Sequence, residues 1–183
     1  MINQRLSTLS VRSLVRTLTL GALLGLGLSA CDRALDASAL APVEIDRSTS
    51  CELDGMLLAD YPGPKAQVHY AGQDKPSFFC DTVELFSTLL AGEQVRIAKA
   101  IYVQDMGRTA WERPEGHWID AQTAVYVLGS KRHGSMGPTI ASFAQEADAA
   151  RFAAEYGGKV LRFADIKPGM VDLSGGALHD TKM

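Results

Sequence analysis

Pro76-Ser77-Phe78-Phe79-Cys80-Asp81-Thr82-Val83-Glu84-Leu85-Phe86-Ser87-Thr88-Leu89-Leu90-Ala91-Gly92 reads as a strand delivered directly into a capped helix. Asp81-Thr82-Val83-Glu84 has the capping-box pattern with Asp in place of Ser or Thr. The Asp81 side chain accepts from open N–H groups of the first turn, while Glu84 reaches back to the cap. Val83, Phe86, Leu89 and Leu90 form the apolar face, and Gly92 stops the run. Upstream, Ala66-Gln67-Val68-His69-Tyr70 reads as a strand, with His69 on its surface side. Gly72-Gln73-Asp74 is the turn that makes Pro76–Cys80 its hairpin partner. Downstream, Val95 to Val103 alternates at period two, as a half-buried strand does. The unit is strand, strand, helix, strand.

The same order returns further along. Ala124-Val125-Tyr126-Val127-Leu128 is a strand, Ser130 to Pro138 a Gly-rich loop, and Thr139-Ile140-Ala141-Ser142-Phe143 the partner strand. Ala149, Phe152, Ala153 and Tyr156 then mark a helix, stopped by Gly157-Gly158, and Lys159-Val160-Leu161-Arg162-Phe163 closes the unit. Phe79 and Phe143 precede the two helices at equivalent places, and Phe86 and Phe152 match on the helical faces. The expected fold is therefore α+β: two similar ββαβ halves, residues 66–104 and 123–165, packed as one compact body over 49–165. Between the halves, Trp111 and Trp118 flank a Pro/Gly turn. They form either a hydrophobic clasp or a partner-docking patch.

The N-terminus belongs to a different job. Arg5, Arg12 and Arg16, with no acid near them, precede the apolar run Leu18 to Leu28, which is too short for a lasting membrane span. Residues 1–30 are read as an export signal, ending in Leu28-Ser29-Ala30-Cys31. That ending resembles the bacterial lipobox, with Cys31 as the lipid-attachment residue, and Asp32 after it favours retention in the inner membrane. The leader holds three of the 18 basic residues, which leaves 15 against 21 acidic ones and a formal charge of −6. Such an acidic chain has no electrostatic footprint for nucleic acid. Residues 31–48 are expected to form a flexible lipid-anchored tether, and 166–183 a mobile tail containing His179 and Met183.

In the mature chain the chemistry concentrates at Cys51-Glu52-Leu53-Asp54-Gly55-Met56. A thiol and a thioether flanking a glycine suit a soft ion, Cu(I) above all, although C-x4-M is also the pattern of a buried Cys followed by a core Met. Met136, set among Gly134, Gly137 and Pro138, has no periodic apolar neighbours to explain it as core. It is the second candidate ligand, with Met56 and then His133 as lesser ones; His69 and His117 are weaker still. Outside the cytoplasm Cys51 and Cys80 also have the option of a disulfide. Cys80 sits at a helix N-terminus, which lowers a thiol pKa, but Phe78 and Phe79 assign it to the core. With no G-x-S-x-G, H-E-x-x-H, P-loop or C-x-x-C, nothing marks an enzyme. The rival to a metal carrier is a thiol-redox or non-metal adaptor lipoprotein docked on a membrane-associated maturation complex.

The succession C-E-L-D-G-M, D-Y-P-G-P-K-A-Q-V, Y-V-Q-D, W-I-D-A, A-V-Y-V-L-G-S, M-G and Y-G-G-K-V-L-R-F resembles the NosL family over residues 51 to 165. The resemblance implies a periplasmic Cu(I)-binding chaperone for assembly of the copper–sulfide centre of nitrous oxide reductase in denitrification. It implies as partners that enzyme and its dedicated inner-membrane maturation machinery, including the periplasmic component of an ABC transporter. It also implies two ββαβ halves similar to part of the organomercurial lyase fold. The family's metal-binding Cys falls on Cys51, its M-G methionine on Met136, and Met56 completes C-x4-M. Distant relatives carry C-x-x-C-G-M; Asp54 stands where their second Cys would be, which argues against a thiol-pair site.

Overall fold

The computed structural model describes residues 40–93, 95–171 and 173. The export signal, Cys31, Asp32, His179 and Met183 lie outside them. Among the described residues the order is β1 (Ala66–Tyr70), β2 (Ser77–Phe79), α1 (Thr82–Leu90), β3 (Ala98–Gln104), β4 (Trp118–Asp120), β5 (Val125–Gly134), β6 (Gly137–Phe143), α2 (Glu146–Tyr156) and β7 (Lys159–Arg162). Two antiparallel sheets result, with strand orders β2-β1-β3-β4 and β6-β5-β7. Without β4 they are the same ββαβ arrangement twice: the first strand of each half lies at the centre, flanked by its hairpin partner and by the strand after the helix.

Packing explains the patterns. Val125 and Val127 lie with Phe143 and Ala149 in a core under α2, while Tyr126, from the opposite face of β5, belongs to the larger core with Phe79, Phe86 and Val103. Both faces of β5 are thus covered, and that is why it reads as an unbroken apolar run rather than an alternation. α1 carries Phe86 into the larger core, edge-on to Tyr126 at 5.1 Å and tilted against Phe163 at 5.3 Å. Thr82 at its N-terminus donates its hydroxyl to the Ile140 carbonyl of β6. The helix of the first half is therefore fastened to the sheet of the second.

Several expectations are corrected. The strand starts at Ala98, not Val95, because β1 ends at Tyr70, which pairs with Ala98. Ile97 keeps one backbone bond past the strand, its carbonyl accepting from Ala71 N–H at 2.8 Å, but the side chains of Val95 and Ile97 are left uncovered, at 89% and 68% exposed. The 130–138 loop is partly ladder: the β5–β6 register shifts after Leu128 and pairing resumes at His133↔Pro138 and Gly134↔Gly137, so the turn proper is Ser135-Met136. Glycine is required there by crowding, since a Cβ on Gly134 would collide with Asp81 Oδ2. His69 is buried, edge-on to Tyr102, because β1 is central and covered on both faces. The tether does not extend to 48. Val43 exchanges hydrogen bonds with the buried Gln67 amide of β1, its N–H donating at 2.8 Å and its carbonyl accepting at 2.9 Å. At the other end Ile166 and Val171 are buried in the main core, so the packed body runs past residue 165.

Gly158 offers a direct check of how the second half closes. Its φ is +101°, and a Cβ would lie 2.8 Å from both the Leu128 carbonyl oxygen and Val127 Cγ1. Gly158→Ala is expected to cost about 2 kcal/mol, read as a lowered urea midpoint at unchanged slope. A midpoint equal to wild type would contradict this close approach of β7 to β5.

Candidate metal centre

Cys51-Glu52-Leu53-Asp54-Gly55-Met56 closes on itself. Cys51 N–H donates to the Met56 carbonyl at 2.8 Å and Gly55 N–H to the Cys51 carbonyl at 3.0 Å, with Gly55 at φ +77°. That left-handed turn is why a glycine stands between thiol and thioether. The Glu52 N–H donates to the Phe78 carbonyl at 2.7 Å, pinning the loop to β2. An ion pair between Arg96 and Glu52, 3.0 Å long and partly exposed, ties it to the segment before β3; at such exposure it contributes little to stability.

The pinned loop sets Cys51 against the start of α1. Cys51 Sγ lies 3.1 Å from Glu84 Oε2, and Cys80 Sγ 3.4 Å from both Glu84 oxygens and 3.1 Å from Ser135 Oγ. Asp54 joins from the solvent side: Cys51, Asp54, Cys80 and Glu84 each present one donor atom, all within 4.8 Å of one another. Cys51, Cys80 and Glu84 are buried, Asp54 exposed. Asp81 caps the helix as expected, accepting from Val83 N–H at 2.9 Å. Glu84 does something the capping-box reading did not foresee: its carboxylate turns to the two sulfurs.

Charge in this pocket is scarce. Burial pushes the Glu84 carboxyl up to about 9, with the nearby Cys51 charge adding to the effect. The hydrogen bond from Cys80 holds Cys51 down to about 6 against its own burial, and Cys80 is pushed up by that bond and by burial. The 3.1 Å contact between Cys51 and Glu84 is thiol-to-carboxylate when Glu84 is ionised and carboxyl-to-thiolate when Glu84 holds the proton; burial favours the second. Behind the trio lies Lys65, only 1% exposed, donating to the Pro62 carbonyl at 2.9 Å and the Cys80 carbonyl at 3.0 Å. Burial pulls this ammonium down to about 8, opposed by attraction to Asp81, Cys80, Glu84 and Cys51.

Of the expected ligands, Cys51 is at the centre. Met56 packs, half-buried, on the small cluster of Cys51, Leu58 and Cys80. Met136 is the second residue of the two-residue turn whose first, Ser135, touches Cys80; it is half-buried, and its N–H points to the Asp81 carboxylate. His133 is exposed on β5, its carbonyl accepting from Trp111 Nε1 at 2.9 Å, and the donor group contains no histidine. Sequence reasoning set Cys80 and Glu84 aside, one as core and one as a cap. The available signal was Glu84 at the third helical position, from which a side chain reaches back past the Asp81 cap toward Cys80. The thiol pair argued against from Asp54 exists, with Cys80 supplying the second sulfur, and both thiols are free.

Two other features are separate from this centre. Trp111 stacks on Phe152 of α2 at 5.3 Å, while Trp118 lies in β4, its backbone paired with Gln104 of β3. A cavity of about 830 Å³, lined among others by Glu44, Arg47, Asp60, Lys65 and Arg113, shares Lys65 with the back of the site but includes neither thiol. No helix among the described residues is long and apolar enough to cross a membrane.

The NosL family profile matches residues 42–171. The copper-binding lipoprotein NosL of Stutzerimonas stutzeri is 40% identical over 168 residues, covering 88% of this chain and 87% of its own. The copper-binding lipoprotein NosL of Achromobacter cycloclastes is 37% identical over 165 residues, with coverages of 88% and 84%. The crystal structure of the copper chaperone NosL from Shewanella denitrificans superposes with a TM-score of 0.69 at 40% identity, covering 71% of this chain and 98% of that one.

Proposed function

The chain belongs to the NosL family, and from that premise we propose that it is a lipoprotein that carries Cu(I) in the periplasm for the copper–sulfide centre of nitrous oxide reductase. Cys31 holds it to the membrane through its acyl chains, and Asp32 keeps it at the inner membrane. Its cargo passes between that enzyme and the dedicated maturation machinery, including the periplasmic component of an ABC transporter. It performs no chemistry on a substrate: its relatives are named for binding and chaperoning copper.

The observation that carries this reading is the meeting of sulfur from distant parts of the chain. Cys51 lies in a pocket with a second thiol, Met56 packs on the pair, and the Ser135-Met136 turn abuts Cys80. Thiolate gives a soft monovalent ion affinity, and thioether is the more easily replaced ligand, so a docked partner's sulfur can take its place. Met56, packed on the cluster that holds Cys51, fills that role; the Met136 side chain packs on the main core and would have to turn out of it to join, and His133 is the least suited, being outside the donor group. The exposed loop residues Leu53 and Asp54 leave the pocket approachable from one side.

Anaerobic loading of the full-length chain in detergent tests the proposal. One Cu(I) per chain is expected, held against a chromophoric Cu(I) chelator, with a copper K-edge spectrum dominated by sulfur. A chain that yields all its copper to the chelator, or shows only nitrogen and oxygen neighbours, is not this carrier. Cells lacking the protein are expected to make nitrous oxide reductase without its copper–sulfide centre.

A further inference from the structure

We infer that Cys80 is a second anionic ligand, so that Cu(I) seats between the Cys51 and Cys80 sulfurs as a bis-thiolate, with thioether completing the shell only as an exchangeable third donor. This rests on the copper-carrier reading and adds to it a ligand from the helix side of the pocket. Both sulfurs contact one carboxylate, at 3.1 and 3.4 Å, so Glu84 aims them at a common point. Their donor atoms lie no more than 4.8 Å apart, near enough for one ion to reach both, and low coordination by soft anions is what Cu(I) accepts.

The surroundings favour two thiolates over one. Cys80 is fully buried, yet its sulfur is held by Glu84 and Ser135 rather than packed only against carbon, an arrangement that a purely structural thiol does not require. The Lys65 ammonium, bonded to the Cys80 carbonyl, sits on the protein side of the pair and opposes the negative charge of a bis-thiolate. On loading, each thiol that still holds its proton gives it up to water as its sulfur bonds the metal. No electron moves, and copper remains monovalent.

Selenomethionine labelling separates the two kinds of sulfur in the intact chain. In the Cu(I)-loaded, labelled protein only cysteine contributes Cu–S scattering, and methionine appears as Cu–Se. Two Cu–S neighbours per copper are expected. One Cu–S with one or more Cu–Se overturns the inference while leaving the carrier function standing, whereas no bound copper overturns the function itself. Cys80→Ser, which keeps a hydrogen-bonding group toward Glu84 and Ser135, is expected to fall to one Cu–S and to lose about tenfold or more in Cu(I) affinity. Its thermal midpoint reports that it is folded, and the wild-type scattering result stands if it is not. Unchanged affinity in a folded Cys80→Ser chain also overturns the assignment.

Discussion

Cys51→Ser is expected to lower Cu(I) affinity by about a hundredfold or more, on the order of 3 kcal/mol, while leaving the fold intact. Cys51 is the thiol whose sulfur the structure prepares: the Cys80 hydrogen bond pulls its pKa down to about 6, which favours the thiolate that a soft metal takes. A serine hydroxyl does not ionise in this range and is a hard donor, so both charge and softness are lost at one atom. The backbone bonds that close the loop, Cys51 to Met56 and Glu52 to Phe78, do not involve the side chain and persist. Competition with a Cu(I) chelator under reducing conditions measures the loss, and circular dichroism checks the fold. Wild-type affinity in a folded Cys51→Ser chain would remove the basis for a thiolate centre at this loop. The remaining Cys80 and thioethers account for whatever binding persists.

Phe86→Ala is expected to destabilise the fold severely, costing about 3 to 5 kcal/mol, a large share of the stability of an ordinary domain. The ring is 1% exposed and touches Tyr126 from the second sheet and Phe163 after β7. Its removal leaves a cavity at the point where the helix of one half meets the other half, and few of its neighbours can move in without breaking strand pairing. Urea unfolding is expected to show a much lower midpoint. The effect reaches the metal centre, since Glu84 sits on the same helix two residues earlier. Phe152, the matching residue of α2, is only half-buried and stacked on Trp111, and its truncation should cost less. Equal costs at the two positions would mean that the asymmetry of the packing is unimportant.

The contrast between Phe86 and Phe152 shows how far the sequence could be read. Periodicity placed both on helical faces, correctly, because a helix reports its buried side every three or four residues whatever it is buried against. It could not say that α1 docks on the other half while α2 covers its own sheet. Strand ends behaved likewise. Alternation from Val95 onward is a local signal, but a strand exists only as far as its partner does, and β1 runs out at Tyr70. The Gly-rich 130–138 segment looked like a loop because small residues usually mark one. Here Gly134 is small because Asp81 and the turn at Gly63 crowd against it, and Gly137 is a glycine because its φ is +86°.

Read alone, the sequence determined the duplicated ββαβ plan and the likeness to one family, and it singled out the loop bearing Cys51 as the candidate for soft-metal chemistry. Each of these is written in neighbouring residues: a period, a cap, a spacing of five. Tertiary structure alone decided the company Cys51 keeps. Cys80 lies 29 positions away and Glu84 33, and a buried thiol beside two phenylalanines looks the same in sequence whether it faces carbon or a pocket. Only the docking of the 51–56 loop onto β2 and of the 135–136 turn onto the start of α1 brings those groups within reach of one ion. Contacts of that separation are set by how whole elements pack, and no local pattern encodes them.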